Sequence, residues 1–210
     1  ELGIEPAAGP QAPGQRAMNY REPGIPTSGR RSRGDLVVDF LSFSGSVVEW
    51  MDELTGRSND YGGFNLIVGD REQIHYLTNR GEGQRCLTPG VHALSNHQLN
   101  TPWPKVTAAR RGLERLVKND GFESGKLFEL LADRTPADDA HLPDTGVSLE
   151  WERLLSSAFI VDPRYGTRVS TVVLAGIDGR FDFEERRFDP DGRGRGDARF
   201  SFLPSPPTRR

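Results

Sequence analysis

The stretch TRVSTVVLAGIDGRFDFEERRF, residues 167–188, decides the fold class. Its first half is rich in β-branched residues, which suit a pleated and partly buried strand. Asp178–Gly179 then supplies the left-handed backbone that a tight hairpin turn requires. After the turn, Phe181 and Phe183 alternate with Asp182 and Glu184, the period of a strand with two different faces. The reading is an antiparallel hairpin, with a last short strand at 198–203.

Working back from the hairpin, residues 149–156 predict a short helix and 133–148 an Asp/Pro-rich loop. A helix over 124–132 has Ser124 as its candidate cap. A longer helix follows Trp103, where Pro102 and Pro104 suit a helix entrance. Its apolar face is Val106, Ala109, Leu113, Leu116 and Val117. FNLIVGD and QIHYLTN read as strands joined by a tight turn at 70–72, and RCLTPGVHALSN as a hairpin turning at Pro89–Gly90. Two helix starts precede them, each a Ser followed three residues later by an acid: Ser32 with Asp35, and Ser46 with Glu49. The segment between these helices and the first strand, 56–63, is a loop by composition. Helices and hairpins are segregated rather than alternating. The fold class is therefore α+β with antiparallel sheet.

The chain has 210 residues and a formal net charge of −3. That charge gives no general reason to expect nucleic acid or an anionic membrane as partner. The basic residues are scattered, apart from a run at Arg30, Arg31 and Arg33. No apolar run reaches the roughly 20 residues of a membrane-spanning helix, and no signal-peptide pattern is present. The single cysteine, Cys86, cannot form an internal disulfide. The opening ELGIEPAAGPQAPGQ is too poor in apolar periodicity to offset its ordering entropy. These features predict a flexible leader over 1–17, one domain over 18–203, a tail over 204–210 and a cytoplasmic location.

Candidate chemistry concentrates in HALSNHQLNTPWPK, residues 92–105. His92 and His97 have no nearby carboxylate to complete a metal site of three or four ligands, so no metal is expected. Asn96 closes a strand, where its amide can donate into a cleft or satisfy the turn's own backbone. In YGTR, 165–168, Gly166 permits a close backbone approach and Arg168 enters a strand. An arginine in a sheet core must be paired or face a site; the alternative is an edge arginine in water. Cys86 has no adjoining base. DPDGRGRGD, 189–197, lacks the ligand spacing of a calcium loop, and its GRGRG lacks a strand-to-helix setting for phosphate.

The blocks NYREPG, SRGDLV, YGGFNLIVGD, NRGE, LTPGVHALSN, TPWPK, YGTR with ST after it, and the Asp-Gly hairpin with EER occur in one order. Together they resemble the transport and Golgi organization protein 2 family, also called the NRDE (Asn-Arg-Asp-Glu) family, from about Asn19 to about Phe188. The resemblance implies an N-terminal-nucleophile hydrolase-like αββα sandwich. The family's Met-Cys start and its Asn-Arg-Asp-Glu signature are absent here, and NRGE at 79–82 is a different motif. The chain therefore reads as truncated, with N-terminal strands missing.

By the same resemblance, Asn96 and Arg168 take the oxyanion-holding and site-completing roles and line one cleft. Asn79 and Arg80 join them as ligand-binding candidates. The implied function is haem or lipid/acyl-CoA homeostasis, as a carrier or binding factor for a haem or acyl ligand. The alternative is a C–N amide hydrolase, inactive in this chain without its N-terminal Cys. No cofactor is assigned beyond haem as cargo; His75, His92 and His97 could each offer an axial nitrogen. A mitochondrial or Golgi association is the organelle reading for a eukaryotic source.

Overall fold

A computed structural model describes residues 15–24, 30–70, 72–119 and 123–203. The fold is α+β, and the described chain falls into two compact units, residues 15–101 and 102–203.

The unit of residues 15–101 holds a four-stranded antiparallel sheet in the order β1-β2-β3-β4, with β1 Gln15–Asn19, β2 Phe64–Gly69, β3 Ile74–Thr78 and β4 Gln84–Cys86. Helices α1, Gly34–Ser42, and α2, Val47–Arg57, lie between β1 and β2 in sequence. β2 is central, and its residues Phe64, Leu66 and Val68 join Leu77 of β3 in the core with Leu36, Phe40, Val47, Trp50, Met51, Leu54 and Tyr61. Phe40 meets Trp50 edge to face at 4.9 Å between ring centroids, a preferred aromatic geometry. The β2–β3 turn forms as expected: Asp70 Oδ1 accepts from the backbone N–H groups of Glu72 and Gln73. Ser46 caps α2 in a complete capping box with Glu49.

Three expectations change here. Residues 15–17, assigned above to the leader, belong to β1 and pair with Val68, Ile67 and Leu66. Their partner lies some fifty positions away in sequence, so local composition carries no sign of it. Residues 1–14 and 204–210 lie outside the described residues. Ser32 does not cap α1, whose N-cap is Arg33 with no side-chain cap; the Ser32 hydroxyl accepts instead from the Gly34 N–H at 3.2 Å. The hairpin expected in RCLTPGVHALSN reduces to β4, because the ladder ends where the Leu87 N–H reaches the Ile74 carbonyl at 2.7 Å.

The unit of residues 102–203 contains α3 Pro104–Lys118, α4 Ser124–Leu131, α5 Leu149–Leu154 and a second sheet, β5-β6-β7. β5 Val169–Ala175 and β6 Phe181–Phe188 form the hairpin read from the sequence, in register with Val173 opposite Phe183. β7 is longer than expected, Gly194–Phe202, and takes in most of the GRGRG segment. Trp103 is the N-cap of α3 and Pro104 its first residue. α3 approaches α4 closely at Gly112, where an added Cβ would sit 2.5 Å from Leu130 Cδ2. Ser124 is not a cap: Glu123 holds that place, and the Ser124 hydroxyl donates to Glu184 Oε2 at 2.8 Å.

Leu36 is fully buried while Val38 on the same helix is 62% exposed. Leu36→Ala is expected to cost about 2–5 kcal/mol in urea unfolding through lost transfer energy and a residual cavity. Val38→Ala should stay within about 0.5 kcal/mol.

Candidate functional site

In the unit of residues 15–101, the segment 58–63 between α2 and β2, with the first residue of β2, supplies backbone groups that side chains bind. Side chains from three other segments satisfy them. Asn79, just past β3, accepts from the Phe64 N–H at 2.9 Å and donates to the Ser58 and Gly62 carbonyls at 2.9 and 3.3 Å. Glu22 accepts from the Gly63 N–H at 2.6 Å. Arg80 grips the same carboxylate in a two-pronged pair, Nε to Oε2 at 2.6 Å and Nη2 to Oε1 at 3.2 Å. Arg30 and Arg33 donate to the Tyr61 and Gly63 carbonyls, each at 3.0 Å. Burial pushes the Glu22 carboxyl up, but the Arg80 and Gly63 hydrogen bonds and the nearby positive charge win and hold it below the usual carboxylate range.

A second set of bonds runs beneath β2. Asn65, fully buried, donates to the His97 carbonyl at 2.8 Å and accepts from the Tyr76 hydroxyl at 2.6 Å. The Leu99 N–H donates to that hydroxyl at 3.3 Å. Burial raises the Tyr76 phenol, keeping it a neutral donor. Glu22, Asn65 and Tyr76 escaped the sequence reading because each acts across strands that are distant in sequence.

The stretch 92–105 is held by its own polar residues. Asn100, at φ 61°, accepts from the Ala93 N–H, and its amide donates to His92 Nδ1. That bond makes Nδ1 the acceptor, so His92 Nε2–H donates to the Thr88 carbonyl. The Thr101 hydroxyl donates to the Gln98 carbonyl, so His97 Nδ1–H donates to Thr101 Oγ1 at 2.9 Å. Burial lowers the basicity of His97, which lies 5.1 Å from the Tyr20 ring. His75 is buried in β3, with no partner for Nε2 among the described residues. Among the described residues, no three His, Cys, Asp or Glu come together to hold a metal ion.

Asn96 donates through Nδ2 to the Asn19 carbonyl at 3.0 Å, and its own carbonyl accepts from the Arg21 N–H. It thereby ties the end of β1 to the 92–105 stretch. Cys86 is exposed, and its Sγ lies 3.9 Å from the Leu87 carbonyl.

Arg168 belongs to the unit of residues 102–203. It is half-buried, and its Nη1 is buried with no hydrogen-bond partner among the described residues. Gly166 makes room for it: a Cβ there would lie 2.8 Å from Nη1 and 2.9 Å from the Ile160 carbonyl. In the same unit, buried Glu184 draws Ser124, Arg199 and Arg186. Burial raises its carboxyl, yet these partners bring it below the usual range. Arg186 also lies over the Phe128 ring at 3.9 Å, a cation–π contact.

The molecule is an α+β protein whose motif residues hold loops and leave a few donors open. The sequence profile of the Transport and Golgi organisation 2 family matches residues 15–190. Transport and Golgi organization protein 2 homologs of Bos taurus and Homo sapiens are 33% and 32% identical to the chain over 182 residues. The Mus musculus homolog is 30% identical over the same length. Each alignment covers 80% of this chain and 66% of the relative, so the chain spans just under two thirds of the curated relatives' length. The chain belongs to the Transport and Golgi organisation 2 family. Among the described residues, no helix is long and apolar enough to cross a membrane.

Because the folded pKa of Glu22 is lowered, its stabilising contribution is full above the unfolded carboxylate pKa and is lost as pH falls through the folded value. Glu22→Gln should cost about 1–3 kcal/mol near neutral pH. That gap to the parent should shrink steadily in unfolding measurements taken down to about pH 3.

Proposed function

We propose that the chain serves haem or lipid/acyl-CoA homeostasis as a ligand-binding member of its family. The observation that carries this reading is Arg168. A buried N–H without an acceptor costs about 1–3 kcal/mol, and a folded protein keeps such a group where something else supplies the acceptor. A guanidinium suits a carboxylate or a phosphate, taken through parallel N–H donors. Haem propionates and the phosphates of an acyl-CoA both present such oxygens. Asn79 and Arg80 serve this reading as the frame of the loop, and Asn96 as a tether with one amide N–H still to offer.

The test is titration of the 210-residue chain with haemin and with palmitoyl-CoA. Arg168→Ala should weaken the bound ligand about tenfold or more, near 1.4 kcal/mol, and leave stability unchanged or slightly raised because an unpaired buried donor is gone. Equal affinity per folded molecule in the variant would remove Arg168 from the reading. An amide hydrolase of the N-terminal-nucleophile class is the alternative. That reading expects no turnover of an acyl amide by this chain, which lacks the N-terminal Cys; turnover that disappears in Cys86→Ser would point to an internal thiol and overturn that expectation.

A further inference from the structure

The run Arg30, Arg31, Arg33 is a local basic cluster in a chain whose other basic residues are scattered. In the structure it lines a pocket of about 330 Å³ with Asn19, Ser32, Gly34 and Gly62. The whole pocket lies in the unit of residues 15–101.

The three arginines are not equivalent. Arg31 is spent locally: it faces Asp39 at 3.4 Å and Asp35 at 4.0 Å, and its guanidinium lies 5.3 Å from the centre of the Tyr61 ring. Asp39 is shared with Arg57, also at 3.4 Å. Arg30 and Arg33 form no ion pair among the described residues; each is held by one N–H on a backbone carbonyl, Tyr61 for Arg30 and Gly63 for Arg33. Glu22 acts electrostatically with Arg30, but its carboxylate is already gripped by Arg80 on both oxygens. The backbone beneath is fixed as well, since the Arg31 N–H donates to the Asp60 carbonyl at 2.9 Å. Two positive charges thus stand at one pocket, pinned by single hydrogen bonds, with most of their five donors each uncommitted among the described residues.

We infer that this pocket binds the phosphate group of a small phosphomonoester. Two guanidinium charges match a group carrying about −1.5 to −2 near neutral pH, whereas a monocarboxylate would leave one charge uncompensated. The volume is at the lower end of ligand pockets, about 300–1,000 Å³. It therefore suits a phosphate with a few attached atoms rather than a long chain. Arg168 takes no part in this site, so its failure would leave the carrier reading standing, and the reverse.

Phenyl phosphate and benzoate are the probes, matched in ring and differing in anion, added to the full chain with binding followed by calorimetry. Phenyl phosphate should bind saturably and benzoate about tenfold or more weakly. The phosphate affinity should fall as sodium chloride screens the exposed charges. Arg30→Ala should weaken phenyl phosphate about tenfold, and Arg85→Ala, outside the pocket, should not. Arg33→Ala removes the Gly63 anchor along with the charge. Arg33→Lys and the rise in thermal midpoint of the unaltered chain with phenyl phosphate therefore give a readout that needs no truncation. Equal binding of the two probes would overturn the inference. So would no saturation below about 10 mM, or unchanged affinity in folded Arg30→Ala.

Discussion

The two-pronged grip of Arg80 on Glu22 is the contact on which the rest of the unit of residues 15–101 depends. Backbone groups that are buried must be paired, and where the chain enters β2 the Gly63 and Phe64 N–H groups find their acceptors in side chains. Glu22 takes the Gly63 N–H at 2.6 Å and Asn79 takes the Phe64 N–H at 2.9 Å. Burial works against the Glu22 charge, and Arg80 balances it. With the segment fixed, its outward carbonyls become anchors, and the Tyr61 and Gly63 carbonyls position Arg30 and Arg33. One ion pair therefore sets a loop, and the loop sets a cationic pocket.

Polar residues divide by whether their hydrogen bonds are spent. Asn79, Asn65, Asn100, His92 and Glu22 are spent on backbone or on one another. They make irregular chain as determinate as a strand, at the expense of being unavailable to a ligand. Among the described residues, Arg168, with a buried Nη1 lacking a partner, and the Arg30–Arg33 pair, with no carboxylate of their own, are different. Uncommitted donors are where ligand chemistry is to be sought, because a donor already spent would have to break a bond to reach one.

Local patterns were legible from the sequence. The 167–188 hairpin forms where β-branched alternation meets Asp178–Gly179, and the α2 start forms where Ser46 and Glu49 stand three apart. The Asp70 turn and the Trp103–Pro104 helix entrance also follow from residues within a few positions. In each, the partners are sequence neighbours, so the residue types alone carry the geometry. The motif blocks went further and carried the family, which the match over residues 15–190 bears out.

Tertiary contact decided the remainder. Ser32 and Ser124 have the look of caps, yet one turns to Gly34 and the other reaches Glu184, sixty positions on. Gln15–Asn19 becomes a strand only because β2 offers it an edge. Residues 85–96 lose their expected hairpin because β3 can pair only as far as Leu87, and side chains take over the bonding. Arginines at 30, 31 and 33 are alike in sequence; Asp35 and Asp39 neutralise one, while distant carbonyls hold the other two in place. What the sequence by itself determined was the α+β class, the capped and turned elements and the family. Which polar group is spent and which is left open was decided only by the tertiary structure, because a hydrogen-bond partner is set by distance in space and not by spacing along the chain.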